Sequence, residues 1–176
     1  QEAKDIIIGS MLGDGRIGPD AAYREKHSEK QKDYLQWKAS FFKSISNDNS
    51  CKYSESIDKR SGTLIKSHSF RTVYHTWLKE MHKVFYREIM KGEFRKIVPN
   101  NIEEMLSPLA LSVWFMDDGQ TCWPYRNGKR TWDGSRHSCK ICTDSFTREE
   151  VQTLVDALKN RYGINNLSEY NFFIED

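Results

Sequence analysis

Residues 7–15 read IIGSMLGDG and residues 111–119 read LSVWFMDDG, and this pair decides the fold. Each is an apolar run that closes on an acid followed by glycine. The pattern predicts two copies of a helix that carries a carboxylate at its C-terminal end, Asp14 in one and Asp118 in the other. Recurrence on this scale is the mark of a duplicated unit. Taken singly, Asp-Gly after a helix is a common stop, the aspartate opening a turn and the glycine adopting a left-handed conformation. Two copies in matching surroundings call for more than a stop signal.

The flanking sequence repeats as well. The first helix is expected over 2–13, followed by a strand at AYREKHS, 22–28. A capping box of Ser28 with Gln31 then opens an amphipathic helix that buries Tyr34, Leu35, Trp37, Phe41, Phe42 and Ile45. Residues 54–58 and 63–69 form a hairpin around Lys59–Gly62, and a helix with apolar residues from Phe70 to Phe85 at spacings of three and four completes the half. Pro99, Asn100 and Asn101 mark the joint. Ser107 followed by Pro108 supplies an N-cap and a first-turn proline, so the second motif helix should span Pro108 to Asp117. Asn127-Gly128 predicts a tight hairpin, SCKICTD at 138–144 a strand, and Thr147 with Glu150 a capping box for a last helix stopped by Gly163.

The chain has 176 residues, 38% hydrophobic, enough for a core, and no apolar run near the roughly 20 residues that cross a bilayer. Neither a secretory signal nor a membrane partner is expected. Cys139 and Cys142 have metal-ligand spacing with His137 near, but Cys51 and Cys122 stand alone, so the four are read as free thiols of a reducing compartment. The net charge of +2 says little, whereas its distribution says more. Bases outnumber acids between Lys52 and Arg71 and between Thr121 and Cys142, on segments read as strands, as a surface facing a polyanion requires.

Gly9 and Gly13 lie four apart on one helix, and Ala110 and Ser112 offer small groups on the other, so the two motif helices can pack closely. In parallel they bring Asp14 and Asp118 together. Two carboxylates buried side by side repel unless a cation neutralises them, and oxygen ligands favour Mg²⁺. Paired acids with bound metal, flanked by basic strands, suit phosphodiester hydrolysis.

The two motifs resemble those of the LAGLIDADG homing endonucleases, and VPNNIEEMLSPLALSVWFMDDG with TDSFTREEVQTLVDALKNRYG is similar to the single-chain, two-motif branch encoded by organellar group I introns. The resemblance implies an α+β fold: a pseudo-twofold pair of αββαββα halves with central motif helices and saddle-shaped antiparallel sheets, here 1–104 and 105–176. It further implies that the second half lacks its last strands and helix. It makes the last acid of each motif, Asp14 and Asp118, a metal-binding group with Mg²⁺ (or Mn²⁺, with Ca²⁺ as a non-cleaving substitute). Lys96 matches a lysine of the family near the cleavage centre, and Lys26 is a looser candidate. Gly13 and Asp117 are further candidate metal-binding positions, although Asp117 is expected to face away and be structural. The family's earlier motif acid is replaced by Leu12 and Met116.

Expected DNA-contacting residues are Arg24, Lys26, Lys59, Lys66, Arg126, Lys129, Arg130, Arg136 and Lys140. The implied activity is site-specific double-strand cleavage by a monomer, promoting intron or intein mobility. The alternative is a non-catalytic maturase that binds intron RNA. The expected compartment is a mitochondrion or chloroplast, with bacterial cytoplasm as the alternative.

Overall fold

A computed structural model describes residues 1–122, 125–126, 129–130 and 138–164. The chain opens with α1 (Glu2–Leu12), β1 (Arg16–Ile17), β2 (Tyr23–Ser28), α2 (Lys32–Ser40), β3 (Cys51–Ile57), β4 (Leu64–Arg71) and α3 (Thr76–Phe85). That is the αββαββα order of one half. A hairpin, β5 (Tyr86–Met90) and β6 (Glu93–Lys96), and a short α4 (Ile102–Met105) lead to α5 (Pro108–Asp118). Then come β7 (Gly119–Cys122), β8 (Tyr125–Arg126), β9 (Lys129–Arg130), β10 (Ser138–Ile141) and α6 (Arg148–Tyr162). The fold is α+β, with every strand pair antiparallel: a four-stranded sheet in the order β1-β2-β4-β3, and the pairs β10–β7, β5–β6 and β8–β9.

The two motif helices lie against each other at the centre. From Asp5 to Leu12 every residue of α1 is buried, because the helix is covered by α5 on one side and by the first sheet on the other. Contact is closest at glycine. A Cβ on Gly9 would stand 2.8 Å from Val113 Cβ and closer still to the Ala110 carbonyl oxygen, and one on Gly13 would stand 2.5 Å from Asp117 Cβ. Ser112, expected in this seam, is exposed instead and donates to the Pro108 carbonyl, so Val113 takes its place. Gly15 and Gly119, which end the motifs, do not adopt the left-handed conformation. Each is required by close approach, Gly15 to Ser10 and Tyr23, Gly119 to Phe115.

Capping follows the sequence at α5 and α6. The Ser107 hydroxyl accepts from the Ala110 amide with proline in the first turn, and Thr147 and Glu150 form a complete capping box. Gly163 stops α6 at φ 66°. Four expectations need correction. Ser28 makes no side-chain cap; residues 29–31 form a single 3-10 turn before α2, and the Gln31 side chain turns toward His27 at 3.3 Å. Within the stripe expected on α2, Trp37 is exposed, whereas Leu35 and Phe42 are buried. Phe70 belongs to β4, and Val73 and Tyr74 are exposed in the connection, so α3 starts only at Thr76, where Leu78, Met81 and Phe85 enter the core. The β5–β6 hairpin, turning at Gly92 with φ 80°, was not foreseen. The turn at Asn127-Gly128, with Arg136 and His137, lies outside the described residues, although the strands flanking that turn pair as expected.

No helix among the described residues is long and apolar enough to cross a membrane. The helix crossing gives a direct test. Despite a helix-propensity gain of about 1 kcal/mol, Gly9→Ala should destabilise the protein by about 1–3 kcal/mol, because the displaced atom is a backbone carbonyl. Ser112→Ala should leave the thermal midpoint nearly unchanged. Equal midpoints for Gly9→Ala and the native chain in thermal unfolding would contradict so close a crossing.

Candidate metal centre and nucleic-acid groove

The sequence Y-R-E-K-H-S of β2 alternates strictly: Tyr23, Glu25 and His27 are buried, whereas Arg24, Lys26 and Ser28 face the other way. Register extends these faces across the sheet, since residues directly opposite in neighbouring strands share a face. On the outer face Arg16, Arg24 and Arg71 form one cross-strand row, and Lys26, Ser69 and Lys52 form the next. A groove of about 780 Å³ runs over this face, lined by Asp14 at one side and by Arg16, Arg24, Lys26, Lys52 and Arg71. Asp20 tempers the charge by pairing with Arg24 and with Arg71 at 2.9 Å. The Arg24 hydrogen bond holds its carboxyl down at about 2, burial opposing and the two arginine charges assisting.

Asp14 and Asp118 end the two central helices, as the duplicated motif requires. The Asp14 side chain is 42% exposed and stands 3.7 Å from His27 Nδ1. Asp118 is half-buried, and its carboxyl is pushed up to about 6, first by burial and then by the charges of Asp14 and Asp117, with Lys96 opposing. Lys96, at the end of β6, donates to the carbonyls of Gly13 and Gly15, both at 2.8 Å. Burial pushes its ammonium down, against the pull of Asp118, Asp14 and Asp117. Thus the helix ends, the Gly13 carbonyl and Lys96 come together, while Lys26 lies out along the groove.

Asp117 does not face away. It is fully buried at the helix crossing, where Lys38 Nζ donates to both of its oxygens at 2.7 and 3.0 Å and the Tyr34 hydroxyl donates at 2.8 Å. Lys38 also reaches Ser10 Oγ at 3.0 Å and Glu25. Burial opposes the charge of Glu25, but hydrogen bonds from His27 and Lys38 prevail and hold its carboxyl low. Burial likewise opposes the charge of His27, and Glu25 overcomes it, raising the imidazole. The carboxyl of Asp117 is raised to about 6 by burial, with Lys38 pulling the other way. Asp14, His27 and Asp117 offer ligand atoms within 4.8 Å of one another, so an oxygen-rich divalent-cation site fits here, with Asp117 already shared with an ammonium.

The remaining expected residues are scattered. Lys59 is exposed in the β3–β4 turn, and Lys66 sits opposite Glu55 at 4.0 Å on the other face of the sheet from Lys26. Arg126, Lys129 and Arg130 lie on the β8–β9 pair, and Lys140 is half-buried on β10. Cys51, Cys139 and Cys142 are free thiols. Sequence reasoning missed the groove members Arg16, Lys52 and Arg71 and the buried cluster of Glu25, His27 and Lys38. The strict alternation of β2 was a signal for Glu25 and His27. For Lys38 it was a charge set inside an apolar helical stripe.

The chain resembles known proteins over most of its length. The chain is 30% identical over 173 residues to DNA endonuclease I-ChuI of Chlamydomonas applanata, covering 94% of this chain and 75% of that one. It is 26% identical over 166 residues to protein RecA of Mycolicibacterium chitae, covering 91% of this chain and 36% of that protein. A third relative is the cytochrome b mRNA maturase bI2 of Debaryomyces hansenii, 28% identical over 190 residues, covering 99% of this chain and 64% of the other. The profile of the LAGLIDADG DNA endonuclease family matches residues 4–171, and the chain belongs to that family.

Proposed function

We infer that the protein is a site-specific DNA endonuclease that hydrolyses both strands of a long target with a divalent cation, Mg²⁺ in the first place. The observation that carries this reading is the meeting of Asp14, Asp118 and Lys96 at the ends of two packed helices, beside a groove lined with arginine and lysine. The two halves, 1–104 and 105–176, would each deliver one carboxylate. Asp14 and Asp118, with the Gly13 carbonyl, would hold the cation. A cation bound there polarises the scissile phosphate and lowers the pKa of an attacking water. Lys96 brings a positive charge to the same place, suited to the charge that develops on a phosphate as it is cut. Arg16, Arg24, Lys26, Lys52 and Arg71 would grip the duplex through phosphate and base edges, joined by Lys59 of the β3–β4 turn and by Arg126, Lys129, Arg130 and Lys140 of the later strands, with Arg136 a further candidate from the sequence; Lys66, on the other face of the sheet, would not take part.

Mobility of a coding element is part of the proposal. A match to about a third of the Mycolicibacterium chitae RecA chain is what an element carried inside a host protein would give. A monomeric state would suit the two-motif pattern, and an organellar home would suit the likeness to the cytochrome b mRNA maturase. The likeness to an mRNA maturase supports a second reading, RNA binding in splicing. The reading of the paired carboxylates as a cation site favours cleavage.

Incubation with Mg²⁺ and a plasmid carrying the uninterrupted insertion site should yield a double-strand break. Asp14→Asn and Asp118→Asn should each abolish the break while leaving binding to that DNA in Ca²⁺ intact. No cleavage by the native chain, together with specific binding to intron RNA, would transfer the protein to the maturase class.

Asp118 also predicts a stability trade. A carboxyl raised in the folded state binds its proton more tightly than in the unfolded chain, so stability falls as pH rises from the ordinary aspartate value toward about 6. In metal-free buffer Asp118→Asn should therefore raise the thermal midpoint at about pH 7 and do little at about pH 3, below the ordinary aspartate value, where the native carboxyl is largely protonated in both states. Identical gains at both pH values would count against a repelled, desolvated Asp118.

A further inference from the structure

Asp117 is the one acid of the two motifs whose side chain is fully buried. Its carboxylate gathers three donors: the Lys38 ammonium, the Tyr34 hydroxyl, and the main-chain amide of Asp14, which reaches Oδ2 at 3.4 Å. The last bond is long, yet it grips the backbone of the residue whose own carboxylate opens onto the groove. Lys96 holds the carbonyls on either side, so the turn that carries Asp14 is fastened at the Gly13 oxygen, the Asp14 nitrogen and the Gly15 oxygen.

Among the described residues the partner motif has no equivalent side-chain clamp. The position that matches Asp117 is Gly13, and a Cβ there would fall 2.5 Å from Asp117 Cβ, so the crossing has room for one side chain, supplied by α5. The main chain at Asp118 is tied through its carbonyl to the Cys142 amide at 3.0 Å, a backbone bond without a side-chain counterpart among the described residues. Lys38, itself fully buried, fixes the Asp117 clamp to Ser10 of α1 and Glu25 of β2.

We propose that Asp117 is a positioning residue that holds the Asp14 backbone, with Lys38 as its buried counterion, and that this brace exists on one side of the paired motifs only. The proposal rests on the reading of Asp14 as a cation-binding carboxylate. It makes the two sides of the site unequal: the turn of Asp14 is held by a side-chain clamp before any cation or DNA arrives, whereas Asp118 is held by the backbone bonds of α5 and of Cys142. Cutting of the strand served by Asp14 then depends on Asp117 more than cutting of the other strand does.

Two double variants separate a clamp from a mere buried charge. Lys38→Met with Asp117→Asn removes both charges and keeps an acceptor for the Asp14 amide, and the Tyr34 hydroxyl retains the Val113 carbonyl at 3.3 Å as an alternative acceptor. Lys38→Met with Asp117→Leu fills the same space without an acceptor. Three readouts apply: hydrogen exchange at the Asp14 amide, binding of Mn²⁺ alone followed by electron paramagnetic resonance, and single-turnover cutting of each strand of a duplex labelled on both.

The asparagine pair should exchange at the Asp14 amide like the native chain and keep the native ratio between the two strand-cutting rates. The leucine pair should exchange faster at Asp14, bind Mn²⁺ more weakly without losing it, and cut one strand about tenfold to hundredfold more slowly, at unchanged DNA affinity in Ca²⁺. Equal exchange in the two double variants, or equal slowing of both strands, overturns the proposal. So does loss of Mn²⁺ binding in both to the level of Asp14→Asn, since that would make Asp117 a ligand. If the native chain cuts no DNA, the nuclease reading falls, and the exchange comparison still decides whether Asp117 holds Asp14.

Discussion

The close crossing of α1 and α5 is the constraint on which the site depends. Two helices can meet backbone to backbone only where side chains are absent, and Gly9 against the Ala110 carbonyl and Gly13 against Asp117 provide those gaps. Both helices end just beyond the contact. Their last carboxylates are therefore brought toward each other by packing, whatever the electrostatic penalty, and the raised carboxyl of Asp118 records that penalty. Apolar burial along Ile6–Leu12, Ala110, Val113 and Trp114 supplies the compensating stabilisation. Burial first, and the neighbouring acids second, keep the Asp118 carboxyl raised.

Around that crossing the molecule separates two kinds of charge. The outer face of the first sheet keeps its arginines and lysines in water, where they are available to a polyanion. Beneath them Glu25, His27, Lys38 and Asp117 form a sealed cluster in which each charged group has an opposite neighbour. Such clusters stabilise little by comparison with apolar packing, and removing one member leaves another uncompensated. Their effect is on geometry: Lys38 ties a strand, two motif helices and its own helix at a single nitrogen.

Much of this was legible in the chain. The duplicated acids, the caps of α5 and α6, the β3–β4 hairpin and the small residues of the crossing are local signals, and the fold respects each of them. What escaped were features defined by distance in space. Arg16, Lys52 and Arg71 join one groove through register, which no single strand reveals. Lys38 and Asp117 are 79 residues apart, and only the fold sets the ammonium against the carboxylate. The β5–β6 hairpin was invisible for another reason: its strands are largely exposed, so burial imposes no alternation on them. At Ser28 the sequence pattern for a cap was present, and the 3-10 turn with the pull of His27 on Gln31 overrode it.

The hairpin ending in Lys96 is also braced from outside. Arg95 makes a two-pronged pair with Glu150 at 2.8 and 2.9 Å, and Glu150 is the same residue that closes the cap of α6. Lys96 thus takes its bearing, through its neighbour Arg95, from the start of a helix more than fifty residues further along the chain. A change that displaces the first turn of α6 would therefore be felt at Lys96.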